Sequence, residues 1–91
     1  MSINDKTIAK KSLGQNFIIN KEFLINLSAQ INTNNEVDVI EVGPGTGALT
    51  DYLIDKPYKN LFLIEKDAKL SELLIEKYKS KKNIHIFNED A

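Results

Sequence analysis

Val37-Asp38-Val39-Ile40-Glu41-Val42 runs directly into Gly43-Pro44-Gly45-Thr46-Gly47-Ala48-Leu49-Thr50. An apolar, β-branched run broken only by two acids predicts a buried parallel strand. Glycines at every second position then let the backbone turn sharply and approach another group closely. Leu49, Leu53 and Ile54 follow at helical spacing until Pro57, which cannot continue a helix. Strand, glycine turn and helix in that order place a ligand loop at the carboxyl end of a parallel strand.

The same pattern repeats downstream. Asn60–Glu65 predicts a second buried strand, again closing on an acid, and Leu70, Leu73, Leu74 and Tyr78 mark a helix starting near Ala68. Asn83–Phe87 predicts a third strand, followed by Asn88-Glu89-Asp90-Ala91. Upstream, Asn20 is an N-cap candidate for a helix from Lys21 to Ile31, with Phe23, Leu24, Leu27 and Ile31 on one side. The turn cluster Asn32-Thr33-Asn34-Asn35 ends it. Strands alternating with helices imply an α/β fold with a parallel sheet. Residues 1–20 are expected to form a loose leading segment.

Composition narrows the functional classes. Ninety-one residues suffice for one small domain. A net charge of −1 with 27% charged residues fits a soluble globular chain rather than a membrane-embedded one. There is no cysteine, which removes disulfides and thiolate metal sites from consideration. No run suits a signal peptide or a membrane span, so a cytoplasmic protein without membrane association is expected. No His/Asp/Glu cluster has metal-ligand spacing, and no metal is expected. His85, the single histidine, alternates with Ile84 and Ile86 and reads as a face-determined strand position. Tyr52, Tyr58 and Tyr78 read as packing residues. The leading Lys6, Lys10, Lys11 and Lys21 oppose only Asp5 and read either as a solvated surface or as a segment that would attract nucleic-acid phosphates. Lys77, Lys79, Lys81 and Lys82 read as a solvated face.

The glycine loop admits three readings. A phosphate-cradling P-loop requires Gly-Lys-Ser/Thr, and Ala48 follows Gly47, so that one fails. A dinucleotide fingerprint is formally met by Gly43, Gly45 and Ala48. An S-adenosylmethionine loop (an acid, one residue, then Gly-x-Gly-x-Gly) is met by Glu41 through Gly47. Glu41 favours the third, because a carboxylate repels a pyrophosphate and attracts a sulfonium ligand that also carries an ammonium. Glu65, roughly 20 residues past the glycines, stands where an acid accepts hydrogen bonds from ribose hydroxyls. Asp90, at the end of the third strand, could reach the exocyclic amine of an adenine. The plainer readings are a ligand-free turn for the loop and solvated strand-end carboxylates for Glu65 and Asp90.

Lys11-Ser12-Leu13-Gly14-Gln15-Asn16-Phe17-Ile18, Glu41 through Thr50, Ile64-Glu65-Lys66-Asp67 and Glu89-Asp90-Ala91 together resemble the ribosomal RNA adenine dimethyltransferase family. Gly-Pro-Gly and Ala-Leu-Thr are as its small-subunit members usually have them. The resemblance implies the N-terminal part of a Rossmann-like class I methyltransferase fold. It also implies S-adenosylmethionine as methyl donor and the N6 amine of small-subunit ribosomal RNA adenines as acceptor, within a pre-30S particle. By the resemblance, Asn16 and the Ile18 backbone contact the amino-acid end of the cofactor, and Gly43, Gly45 and Gly47 pass beneath it. Glu65 would bind the ribose and Asp90 the adenine amine, with Lys10 and Lys11 toward RNA. Ile18 stands where the family usually has leucine. The family's Asn-Leu-Pro-Tyr-like catalytic motif is not among these residues, so no catalytic residue is expected here and cofactor binding is. A short form that holds cofactor or RNA without catalysis is the alternative. In this class the first strand lies inside the sheet, beside a fourth strand, so here it is expected as an exposed apolar edge.

Overall fold

The computed structural model describes residues 20–91. Helix α1 spans Lys21–Ala29, strand β1 Asp38–Val42, helix α2 Thr50–Leu53, strand β2 Asn60–Ile64, helix α3 Ala68–Lys77 and strand β3 Ile84–Phe87. The expected elements are all present in the expected order, with boundaries shifted by a residue or two. The Asn20 side chain accepts from the Phe23 amide at 3.0 Å and so caps α1 as its sequence position predicts. Asp67 caps α3 in the same way, accepting from the Lys69 and Leu70 amides.

The three strands form one parallel sheet in the order β1-β2-β3. Asp38 pairs with Asn60 and Val42 with Ile64, while Leu61 pairs with Ile84 and Ile64 with Phe87. Because side chains alternate along a strand, this register sorts them onto two faces. Val39, Glu41, Leu61, Leu63, Ile84 and Ile86 share one, against which α2 and α3 pack. Leu61, Leu63 and Leu74 are fully buried there and Tyr78 nearly so. Each such leucine contributes about 1.5–3 kcal/mol of transfer free energy, so this cluster is the stabilising centre.

The opposite face departs from expectation. The apolar run through Val42 predicts a strand buried on both sides, yet Ile40 is 61% and Val42 63% exposed. Phe87 is also exposed, and Phe62 stacks on His85 and Phe87 with centroids 5.1 and 6.1 Å away. The physical reason is that α2 and α3 cover one face only. Among the described residues β1 is an edge strand, as expected. The α1 helix also buries less than its spacing suggests: Phe23 and Leu27 are exposed, and Ser28 is its one buried residue.

Candidate functional site

The carboxyl ends of all three strands meet at one place. Backbone hydrogen bonds carry the sheet past its formal ends: Gly43 donates to the Ile64 carbonyl at 2.9 Å and Glu65 to that of Phe87 at 2.9 Å. Glu89 donates back to the Glu65 carbonyl at 3.1 Å. The Asn88 side chain ties the same turn together by donating to the Glu65 and Lys66 carbonyls, both at 3.0 Å. Above this seam lies a cavity of about 210 Å³, lined by Val42 and Gly43 from the first strand end, Ile64, Glu65 and Lys66 from the second, and Glu89, Asp90 and Ala91 from the third. Three carboxylates and one ammonium border it.

Gly43, Gly45 and Gly47 have φ of 70°, 62° and 94°, a backbone region that other L-residues adopt at a cost. A Cβ added at Gly43 or Gly45 would meet no atom within 4 Å, so the loop presents bare backbone to open space. Glu65 braces this arrangement. It is 6% exposed, and its Oε1 accepts from the Gly45 amide at 3.1 Å while Oε2 accepts from the Asp67 amide at 3.0 Å. One side chain thus joins the loop after β1 to the turn after β2. A carboxylate has about four acceptor positions, and the bonds among the described residues take two of them.

Glu41 is placed differently from the other acids. It lies inside β1 rather than at its end, and strand alternation turns it to the helix-covered face. There its Oε1 accepts from the Thr50 hydroxyl at 2.6 Å, and Thr50 is itself fully buried. Burial pushes the Glu41 carboxyl above its ordinary value; the Thr50 hydrogen bond opposes that shift and the Asp51 charge adds to it. Glu41 therefore sits beneath the loop, not in the cavity wall. Gly47 is likewise at the far leg of the loop, against Tyr78.

The structure therefore gathers Gly43, Glu65 and Asp90 around one cavity, links Gly45 to them through Glu65, and holds Glu41 and Gly47 behind. Asn16, Ile18, Lys10 and Lys11 lie outside the described residues. Sequence reasoning did not pick out Thr50, Lys77, Tyr78 or Asn88 as residues that shape this loop. Asp67, with a helical pattern opening directly after it, also carried a readable capping signal. His85 stands on the uncovered face with Nε2 3.0 Å from the Asn60 side-chain oxygen, the face-determined position expected of it. No helix among the described residues is long and apolar enough to cross a membrane.

Residues 6–91 match the family model for ribosomal RNA adenine dimethylase. Ribosomal RNA small subunit methyltransferase A of Pelagibacter ubique is 45% identical over 82 residues, which is 90% of this chain and 30% of that protein. The protein of the same name from a Hydrogenobaculum species is 43% identical over 82 residues, covering 90% of this chain and 31% of its own length. The chain thus spans under a third of these relatives. Among solved structures, 23S rRNA methyltransferase ErmE superposes with a TM-score of 0.72 at 28% identity, over 81% of this chain and 30% of that one. The tRNA (m1A58) methyltransferase of Aquifex aeolicus gives 0.67 at 26% identity, over 80% and 30%. Both share the class I methyltransferase fold.

Proposed function

Because the chain belongs to the ribosomal RNA adenine dimethylase family, we propose that residues 1–91 form the S-adenosylmethionine-binding part of an enzyme that dimethylates N6 of adenines in small-subunit ribosomal RNA. The family's enzymes depend on S-adenosylmethionine. The observation that carries the reading is the acid-lined cavity at three adjacent strand ends, with glycine backbone on one side and Glu65 and Asp90 on the others. A pyrophosphate placed beside Glu65, Glu89 and Asp90 is repelled, whereas a ligand with a sulfonium and an ammonium is attracted. The open space above Gly43 and Gly45 admits a ligand that a Cβ would obstruct.

In this reading Glu65 accepts from the ribose hydroxyls with the two acceptor positions its backbone bonds leave over, and Asp90 accepts from the adenine amine. Gly43 and Gly45 let the methionine moiety approach the backbone, Glu41 supplies negative charge from below, and Asn16 and the Ile18 backbone hold the amino-acid end. When bound, S-adenosylmethionine supplies an electrophilic methyl group. These residues bind and orient; none is assigned a step in methyl transfer. Lys10 and Lys11 draw the ribosomal RNA, in a pre-30S particle, through its phosphates.

Calorimetric titration of the chain with S-adenosylmethionine and, separately, with a nicotinamide dinucleotide tests the proposal. Binding of the first and not the second is expected. Binding of the dinucleotide alone, or of neither, refutes it. For the full-length enzyme, replacing Lys10 and Lys11 with glutamine is expected to flatten the salt dependence of RNA affinity, and an unchanged slope removes them from the RNA surface.

A further inference from the structure

The far leg of the glycine loop is held by the end of a helix 31 residues away. Tyr78, the C-cap of α3, is 5% exposed. Its hydroxyl lies 2.7 Å from Asp51 Oδ1 and 3.3 Å from the Gly47 carbonyl oxygen. The neighbouring Lys77 ammonium donates to the Thr46 carbonyl at 2.9 Å and pairs with Asp51 Oδ2 at 3.1 Å. The Asp51 amide in turn donates to the Gly47 carbonyl at 2.9 Å. A phenol has one proton, so the shorter contact to Asp51 takes it and the Gly47 carbonyl receives the weaker share.

The hydroxyl also has a steric role. At Gly47, with φ of 94°, an added Cβ would clash with the Tyr78 oxygen, while the Lys77 ammonium nitrogen would be 3.1 Å away and the ring carbon that bears the hydroxyl 3.4 Å. Contacts under 3.0 Å are not tolerated, while 3.4 Å is close to ordinary packing. The phenol oxygen therefore fills the space that a side chain at position 47 would need. Burial, then the Asp51 carboxylate, pushes the phenol's pKa well up, so the group stays protonated and able to donate. Tyr78 does not line the cavity.

We propose that Tyr78 is a positioning residue of the ligand loop: its hydroxyl, through Asp51 and Gly47, fixes the far leg so that Gly43 presents its backbone to the cavity and Gly45 stays bonded to Glu65. The inference rests on reading that cavity as the S-adenosylmethionine site. It goes beyond packing, because the Tyr78 ring already belongs to the core with Leu61, Leu63 and Leu74, and the hydroxyl adds a second task.

Tyr78→Phe keeps the ring and deletes the hydroxyl. Made alone and with Gly47→Ala, it tests the proposal through amide hydrogen exchange, thermal melting and titration with S-adenosylmethionine. The Gly45 and Gly47 amides bond to Glu65 and to the Pro44 carbonyl, so both report on the loop. In Tyr78→Phe they are expected to exchange at least about tenfold faster while β2 amides keep their rates, as local opening without global loss requires. Affinity for S-adenosylmethionine is expected to fall several-fold. Gly47→Ala is expected to lower the melting temperature less in the Tyr78→Phe background than in the unaltered chain, because residues in contact are energetically coupled. Loop amides that are unchanged, or that accelerate in step with β2, reduce Tyr78 to a packing residue and overturn the proposal, as does strict additivity of the two substitutions. If Gly47→Ala does not fold, the exchange comparison on Tyr78→Phe decides alone. Failure of the unaltered chain to bind S-adenosylmethionine refutes the site assignment instead, and exchange and coupling still decide whether Tyr78 holds the loop.

Discussion

Replacing Glu65 with glutamine separates its two tasks, and the structure sets the expected size of the effect. The carboxylate is 6% exposed and accepts one backbone hydrogen bond on each oxygen, from Gly45 at 3.1 Å and Asp67 at 3.0 Å. Glutamine keeps one acceptor oxygen and turns a donor toward the other amide. One buried N–H then loses its partner, which costs about 1–3 kcal/mol. For a domain of this size each kcal/mol lowers the melting temperature by about 4–8 °C, so a loss of about 4–24 °C is expected. Far-UV circular dichroism on heating measures it, and hydrogen exchange at Gly45 and Asp67 shows which bond is lost. S-adenosylmethionine affinity is expected to fall by about tenfold or more, since each 1.4 kcal/mol is a factor of ten. An unshifted melt would refute the bracing role. An unshifted melt with unchanged affinity would remove Glu65 from the site altogether.

Glu41→Gln is expected to stabilise the chain at neutral pH. The folded carboxyl titrates above its ordinary 4.5, so wild-type stability from this group is full below that value and is lost as pH rises through the folded pKa; the advantage of glutamine, followed by melting across pH, should vanish in acid, and a constant advantage would contradict it. Leu74→Ala empties a fully buried position and is expected to cost about 2–5 kcal/mol by urea denaturation, whereas a loss under about 1 kcal/mol would contradict its burial. At high concentration the isolated chain is expected to self-associate through the β1 edge and the face carrying Ile40 and Val42. Ile40→Lys should reduce that association in sedimentation velocity, and a wild-type chain that stays monomeric at high concentration would refute the expectation.

Much of this fold was readable because its signals are local. Asn20 before a helical repeat, glycines after an apolar run and Pro57 closing a short helix each act within a few residues. The place of Glu65 beside the cavity was legible because it falls just past a strand, where a side chain is free of the sheet's alternation. The orientation of Glu41 was not, because that residue lies within β1 and its direction follows from strand parity: it shares a face with Val39 and therefore with the helices. Tyr78 and Lys77 meet Gly47 and Thr46 across 31 residues, a distance over which no periodic pattern carries information. The helical spacing of Phe23 and Leu27 correctly marked α1, but periodicity says which residues share a side and not what covers it.

The sequential order of the strands has a consequence for how the chain reaches this structure. β2 is central, and each neighbour pairs with it across a similar stretch of chain: Asp38 meets Asn60, and Leu61 meets Ile84. Closing a loop costs entropy that grows only with the logarithm of its length, so the two closures are nearly equal and neither waits on a distant partner. As the polypeptide emerges during synthesis, β1 can dock as soon as β2 exists, and α3 can then bring Leu74 onto Leu61 and Leu63 before β3 is complete. Tyr78 ends α3, so its hydroxyl can reach Gly47 once that helix has docked. On this route the glycine loop takes its final shape early, one strand ahead of the Asp90 side of the cavity.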